Sequence, residues 1–288
     1  MMALKETTIT KTTKNLINKY DFKTMKRFGQ NFLVDESVLR AIIDCSELSK
    51  DDCVLEIGPG LGVMTQMLCE RAGRVLAVEI DRELIPILKV SMFGYDNFKL
   101  INEDILKLNL KTILEENFGS FPVKVVANLP YYITTPIIMK LIEEDINLES
   151  ITIMVQKEVG ERICADPGGK DYGALTVAVQ YRCISEKIMT VPPESFMPKP
   201  GVESMILRLV FRENPPVVLK DERMYFRVVK ASFGQRRKTL LNALTAGNMG
   251  KAKEELRRML LSIGIDGNRR AETLSLEEFA RIANEFVQ

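Results

Sequence analysis

The sequence predicts an α/β fold: a largely parallel sheet covered on both faces, followed by a small all-helical C-terminal domain. Three observations predict it. Near-continuous apolar, β-rich runs alternate with helical stretches as far as Phe211, which is how strands buried on both faces read. A glycine loop, EIGPGLG (Glu56–Gly62), lies between the first of these runs and a helix, where bare backbone can approach a ligand. RENPPVV (Arg212–Val218) then breaks the alternation, and everything beyond it reads as helix. A chain of 288 residues exceeds one average domain, so residues 1–212 are expected as one domain, with a basic N-terminal extension over 1–30, and 213–288 as a second.

Taken in order, DESVLRAIIDCSEL from Asp35 has the spacing of an amphipathic helix with an acidic start. VLEI (Val54–Ile57) is the first strand, and the helix after the glycine loop runs through Met64 and Leu68. RVLAVEID (Arg74–Asp81) is the second strand, followed by a helix from Arg82 that tolerates Pro86 in its first turn. Phe98–Leu106 reads as the third strand, Val123–Leu129 as the fourth and Ser150–Gln156 as the fifth, which leads into helix KEVGERI. After the turn-rich DPGGKDYG (Asp166–Gly173) come a helix, strand KIMTV, the loop PPESFMPKPGVES and strand MILRLVF. Helices are expected for RMYFRVVKASF, RRKTLLNAL, AKEELRRMLLSIG and SLEEFARIANEF.

Composition narrows the chemistry. There is no histidine, which excludes the Ser-His-Asp triad, the Cys-His pair and most zinc sites. The five cysteines are scattered, with no CxxC spacing, and read as free thiols in a reducing compartment. No apolar run reaches the length of a membrane span and the first residues lack the apolar segment of a secretory signal, so a cytoplasmic protein is expected. The net charge of +1 is unevenly spread. Residues 1–30 hold seven Lys/Arg against Glu6 and Asp21, and the chain from Arg212 holds 15 basic and 10 acidic residues, leaving an acidic middle. Basic flanks around an acidic body suit a polyanion held at the edges, although solvated helix faces would look the same.

The glycine spacing GxGxG, at Gly58, Gly60 and Gly62, differs from the GxGxxG of dinucleotide enzymes. Glu79 ends the next strand, about 20 residues on, where a carboxylate accepts from ribose hydroxyls. Asp104 stands at the end of the third strand, placed either to accept from an adenine amine or to cap a helix. Three such features on three successive strands point together to a nucleoside-bearing cofactor.

NLPYYITTP (Asn128–Pro136) follows the fourth strand. The exocyclic amine of adenine is a poor nucleophile because its lone pair is delocalised into the ring. The Asn128 side-chain oxygen and a backbone carbonyl, from Leu129 or Pro130, are suited to accept its two N–H bonds and leave the lone pair free to attack a methyl. No residue with a shifted pKa is required, which fits a chain without histidine. Tyr131 is expected to stack on the base, for roughly 1–3 kcal/mol, and Phe196 to close the other face. A base already in a loop is the easier target, since extrusion from a duplex costs a few kcal/mol.

RFGQNFL (Arg27–Leu33), EIGPGLG, VEID (Val78–Asp81), NEDIL (Asn102–Leu106), NLPYYITTP and FMPKPGVES together resemble the rRNA adenine dimethyltransferase family, most closely its bacterial small-subunit branch. The resemblance runs from about Lys26 to the carboxyl end. It implies a class I methyltransferase Rossmann-like fold, a seven-stranded sheet with an antiparallel last strand, and S-adenosylmethionine as cofactor. It further implies dimethylation of two adjacent adenosines in the 3′-terminal helix loop of 16S rRNA, on an immature small (30S) subunit; the chain is expected to act as a monomer, with neither metal nor membrane. Carried over by residue, Asn31 and Leu33 would contact the cofactor's methionine side, Gly58 and Gly60 would back the loop, Glu79 would hold the ribose, and Asp104 with Ile105 the adenine. Asn128, Leu129 and Tyr131 would hold the target amine, with Phe196 beside the base. The basic cluster Arg236, Arg237, Lys238 matches the family's rRNA-facing region.

Two alternatives stay open at this point. One is an Erm-like enzyme acting on large-subunit rRNA, opposed by NLPY in place of NIPY and by the long helical tail. The other is a ribosome-assembly factor that has kept the fold and lost catalysis, opposed by the intact Asn128, Tyr131 and Glu79.

Overall fold

The computed structural model of the chain describes residues 30–287, so Arg27–Gly29 of RFGQNFL and all but Gln30 of the basic extension lie outside the described residues. The chain forms two compact units. The first runs to Gly160 and resumes over Glu186–Phe211; the second comprises Glu161–Ser185 and the chain from Arg212 onward.

The first unit opens with β1 (Phe32–Leu33), then α1 (Glu36–Cys45), β2 (Cys53–Ile57), α2 (Val63–Arg71), β3 (Arg74–Glu79), α3 (Ile85–Ser91), β4 (Phe98–Asn102) and α4 (Leu110–Phe118). It continues with β5 (Val123–Asn128), a 3₁₀ turn at Tyr131–Ile133, α5 (Thr134–Glu143), β6 (Leu148–Gln156) and α6 (Lys157–Ile163), which carries the chain into the second unit. After α7 (Ala174–Arg182) and β7 (Cys183–Val191) come β8 (Phe196–Met197) and β9 (Ser204–Phe211). Asp35 starts α1 as expected, accepting the Ser37 N–H at 3.0 Å, and Val38, Leu39, Ile42 and Ile43 are its buried stripe.

Seven strands form one sheet in the order β4-β3-β2-β5-β6-β9-β7. β2 pairs in parallel with β3 and β5, β3 with β4, and β5 with β6, whereas β9 runs antiparallel to β6. Every residue of β2 is buried, as are Val75–Glu79 of β3 and Val123–Ala127 of β5, which is why these segments read as continuous apolar runs. The chain steps from β2 outward through β3 to β4, then returns to β5 on the other side of β2. Strand order thus reverses between β2 and β5, and ligands bind in the crevice at the strands' carboxyl ends at such a point.

The second unit adds α8 (Glu222–Phe233), α9 (Leu240–Ala246), α10 (Lys253–Ser262) and α11 (Leu276–Phe286). Its core joins Tyr172, Val177 and Tyr181 to Tyr225, Val228, Leu240, Leu256, Leu260 and Phe279. The Tyr181 and Tyr225 rings are 4.9 Å apart, the Tyr181 hydroxyl donates to Glu222 at 2.6 Å, and Arg182 pairs with the same carboxylate at 2.6 Å. The linear division at 212/213 is therefore corrected in one stretch: residues 161–185 belong with the helical unit, because the apolar face of α7 is buried among its helices.

Other differences are local. β4 stops at Asn102 rather than Leu106, because Asp104 turns the chain by accepting the Leu106 N–H on its side chain and the Lys107 N–H on its carbonyl. β7 begins at Cys183, ahead of the expected Lys187. α9 begins at Leu240, not Arg236, so Arg236–Lys238 sit in the preceding turn. The five cysteines are free thiols, and no helix among the described residues is long and apolar enough to cross a membrane.

Candidate active site

The glycine loop is held open by backbone geometry that side chains resist. Gly60 has φ +59°, and a Cβ there would stand 3.3 Å from the Phe32 ring; Gly62 has φ +83°, and a Cβ would stand 2.8 Å from the Ser91 hydroxyl and 3.1 Å from Leu88. Gly58 donates its N–H to the Val78 carbonyl at 3.0 Å, which ties the loop to the end of β3. Gly58, Pro59, Gly60 and Leu61 of this loop line the crevice at the strands' carboxyl ends.

Glu79, the last residue of β3, is the knot of this wall. One carboxylate oxygen accepts the Gly60 N–H at 3.2 Å and the other the Asp81 N–H at 2.9 Å, while Asn102 donates its side-chain amide to the Glu79 carbonyl at 2.7 Å. Burial pushes the Glu79 carboxyl up to about 6, against the pull of those backbone donors. Asp81 is fixed in turn by Gln30, whose side-chain amide donates to it at 3.1 Å, and by the Glu83 N–H at 3.0 Å. Beneath the loop, Glu56 on β2 is fully buried with no hydrogen bond to either carboxylate oxygen. Burial, opposed by the nearby Thr65 hydroxyl and reinforced by the Glu79 charge, pushes its carboxyl up to about 8, so it is mostly protonated at neutral pH.

At the end of β5, the Asn128 side-chain amide donates to the Asn31 carbonyl at 3.3 Å, which turns its oxygen the other way. The Leu129 N–H is held by the Met154 carbonyl at 3.1 Å. The Pro130 carbonyl accepts both the Ile133 N–H at 3.2 Å and the Thr134 hydroxyl at 3.0 Å, so it closes the turn that starts α5. Of the two carbonyls the sequence leaves open, Leu129 is the one outside that turn. The Tyr131 hydroxyl shares a hydrogen bond with Ser204 at 2.7 Å, which pins the half-buried ring. Burial raises its pKa further above the ordinary tyrosine value of 10.

These elements line one cavity that is open to solvent. Asn31, Leu33, Gly58, Gly60, Glu79, Asp104, Ile105, Asn128, Leu129 and Tyr131 all line it. Phe196 does not and is a correction: its ring is 4% exposed in the core with Leu33, Val38 and Met154. β8 pairs with β1, Leu33 opposite Phe196, and the pairing turns the ring inward. Tyr132, 57% exposed at the cavity wall, is the aromatic the sequence reading passed over, although it stands in the same NLPYYITTP motif. Gln30 and Glu103 were also missed; their signal was adjacency to Asn31 and Asp104.

Bare loop backbone, a buried carboxylate at one strand end and a second acid at the next fit an adenosyl group. No cluster of three metal-binding side chains occurs among the described residues. Arg236, Arg237 and Lys238 are exposed in the second unit, with Arg236 donating to the Lys170 carbonyl.

The chain is similar to known proteins over nearly its whole length. The family described as "Ribosomal RNA adenine dimethylase" matches residues 21–288. The "Ribosomal RNA small subunit methyltransferase A" of Alkaliphilus oremlandii is 51% identical over 278 residues, covering 96% of this chain and 97% of that protein. Its counterpart from Geobacillus kaustophilus is 49% identical over 275 residues, covering 94% of each. Among solved structures, a dimethyladenosine transferase from Plasmodium falciparum superposes with a TM-score of 0.72 at 26% identity, covering 87% of this chain and 95% of the other. The 23S rRNA methyltransferase ErmE superposes at 0.63 and 27% identity, covering 90% and 100%.

Proposed function

The chain belongs to the ribosomal RNA adenine dimethylase family, and from that premise we infer that it dimethylates the exocyclic amines of two adjacent adenosines in the 3′-terminal helix loop of 16S rRNA, with S-adenosylmethionine as methyl donor. Identity of about half to the small-subunit enzymes over nearly the whole chain favours that target over the large-subunit one. The observation that carries the site reading is the meeting, in one cavity, of the carboxylate end of β3 with Asn128 at the end of β5.

When bound, S-adenosylmethionine supplies an electrophilic methyl on its sulfonium. Asn31 and Leu33 would flank its methionine side, and Gly58 and Gly60 present the bare loop. Glu79 would accept from the ribose hydroxyls, and Asp104 would accept from the adenine amine with Ile105 against the ring. On the reacting side, the Asn128 oxygen and the Leu129 carbonyl would accept the two N–H bonds of the target amine. Those bonds would favour a tetrahedral nitrogen whose lone pair points along the displacement: the C–N bond would form as the S–CH3 bond breaks, S-adenosylhomocysteine would leave as the neutral thioether, and the methylated ammonium would then release its proton to water. Tyr131, its hydroxyl held by Ser204, would lie against the base. Tyr132 and Ile80, both partly exposed, stand at the cavity wall where a base or adenosyl group would pass.

The proposed particle is an immature small (30S) subunit, met by one copy of the chain, with the first unit carrying catalysis and the helical unit facing rRNA. The test supplies purified protein with radiolabelled S-adenosylmethionine and either undermethylated small subunits or unmodified large-subunit rRNA. Dimethyladenosine from the small-subunit arm alone is the expected result. Label in the large-subunit RNA would shift the target, and tight subunit binding without label beside an active control enzyme would leave a non-catalytic assembly factor.

A further inference from the structure

The family resemblance implies rRNA contact at Arg236–Lys238, which stand in the turn before α9; the helix before that turn carries a separate feature. On α8 the exposed positions include Arg223, Arg227 and Lys230. At about 100° per residue these three fall within about 60° of one another, and at about 1.5 Å per residue they span about 10 Å of helix axis. The opposite face is fully committed: Tyr225, Val228, Val229 and Ser232 are buried in the core of the helical unit.

No charge on α8 neutralises the strip. Asp221 caps the helix, accepting the Arg223 and Met224 backbone N–H groups, and the Glu222 carboxylate is taken by Tyr181 and Arg182. Among the described residues, Arg223, Arg227 and Lys230 form no ion pair. The exposed side of α10 is different, with Arg257 pairing with Glu254 and Glu255 beside it. Three unpaired cations in a line repel one another, so the arrangement is at its most stable against a polyanion.

We propose that Arg223, Arg227 and Lys230 form a phosphodiester-binding strip that docks the helical unit on an RNA backbone, independently of the Arg236–Lys238 turn. The aromatic residues of α8 distinguish backbone contact from base recognition. Phe226 packs against Tyr181 and Tyr225, and Phe233 against Tyr172 and Phe279, so the rings of α8 itself are engaged by aromatic neighbours. Contacts of this kind fix position without reading sequence. The proposal deepens the rRNA reading and rests on it for the identity of the RNA.

The test compares the full-length protein with a triple variant, Arg223→Gln/Arg227→Gln/Lys230→Gln, and with a control that removes equal charge from α10, Lys253→Gln/Arg257→Gln/Arg258→Gln. Binding to undermethylated small subunits is measured against salt concentration, alongside methyl transfer, melting temperature and affinity for S-adenosylhomocysteine. Each phosphate contact contributes about 0.7–0.9 to the slope of log K against log salt. The strip variant should therefore lose about 2–3 from that slope and bind more weakly by tens- to a hundred-fold near 0.15 M salt, with melting temperature and S-adenosylhomocysteine affinity unchanged. The α10 control should keep the wild-type slope. An unchanged slope in the strip variant, or an equal drop in the control, overturns the proposal. Wild-type binding without methyl transfer would instead sink the catalytic reading, and the slopes would still decide the strip.

Discussion

Mild acid should release the cofactor through one carboxylate. In the unliganded site, burial holds the Glu79 carboxyl at about 6, against about 4.5 in water. Ribose hydroxyls donating to its oxygens favour the charged form and bring the value back toward 4.5, so cofactor binding and the Glu79 proton compete. If the bound value is about 4.5, lowering the pH from 7.5 to 5 multiplies the dissociation constant by about eight. The same raised pKa has a stability consequence of definite sign. Protonated Glu79 stabilises the unliganded fold by about 2 kcal/mol relative to the ionised form; that contribution is complete below about pH 4.5 and is lost as pH rises through about 6. Glu56, held at about 8, stays mostly neutral between pH 5 and 7 and adds little to the competition there. Calorimetric titration of S-adenosylhomocysteine into the wild type and into Glu79→Gln, from pH 5 to 7.5, reads the effect directly. The wild type should lose about eightfold in affinity, whereas Glu79→Gln should bind weakly at every pH with no such trend. Its amide can accept from only one of the Gly60 and Asp81 N–H groups, and a buried donor left unsatisfied costs about 1–3 kcal/mol. A flat wild-type profile, or the same slope in the variant, would refute Glu79 as the ribose ligand.

Two substitutions separate the loop from the reacting end. Gly60→Ala places a Cβ in the left-handed region at 3.3 Å from the Phe32 ring, which should cost about 1–2 kcal/mol and weaken S-adenosylhomocysteine binding at least tenfold; wild-type affinity with an unchanged melting temperature would count against the close approach of that loop. Asn128→Ala should abolish methyl transfer to undermethylated small subunits while changing S-adenosylhomocysteine affinity less than threefold, and parallel loss of both would move Asn128 to the cofactor.

The positions that line the cavity could be picked out in the sequence for a local physical reason. Gly58, Gly60, Glu79 and Asn128 each sit at or just past the carboxyl end of a parallel strand, and an apolar run followed by a glycine or polar residue marks such a point locally. What escaped needed partners far along the chain. β1 and β8 are two residues each, too short for any alternation to show, and they exist because Phe32 and Leu33 pair with residues more than 160 positions away. That pairing buries Phe196, which the motif alone suggests is free to meet a base. Residues 161–185 likewise read as part of the sheet domain by order, yet Tyr172, Val177 and Tyr181 find their apolar partners on helices that follow Arg212. The start of α9 shifted for a smaller reason: Arg236–Lys238 satisfy helical spacing, but the chain still turns there and the helix begins only after Thr239.

The placement of charge predicts how the reaction itself responds to pH. The carboxylates of the cavity, Glu79, Glu103 and Asp104, stand on the wall assigned to the cofactor, at and beyond the ends of β3 and β4. The reacting end offers an amide oxygen, a backbone carbonyl and a phenol whose pKa burial has raised above 10, none of which changes charge between pH 6.5 and 9. An amine activated by hydrogen-bond acceptors needs no base to start the displacement, because its proton is lost after the new bond has formed. With cofactor and small subunits both saturating, the single-turnover rate should therefore vary less than twofold from pH 6.5 to 9, while apparent cofactor affinity falls on the acid side as Glu79 protonates. Glu56, fully buried on β2 and held at about 8, falls within that window. A rate that rises tenfold per pH unit and levels near 8 would mean that a proton leaves before methyl transfer. A Glu56→Gln variant that flattened such a profile would then replace the acceptor mechanism with general-base catalysis.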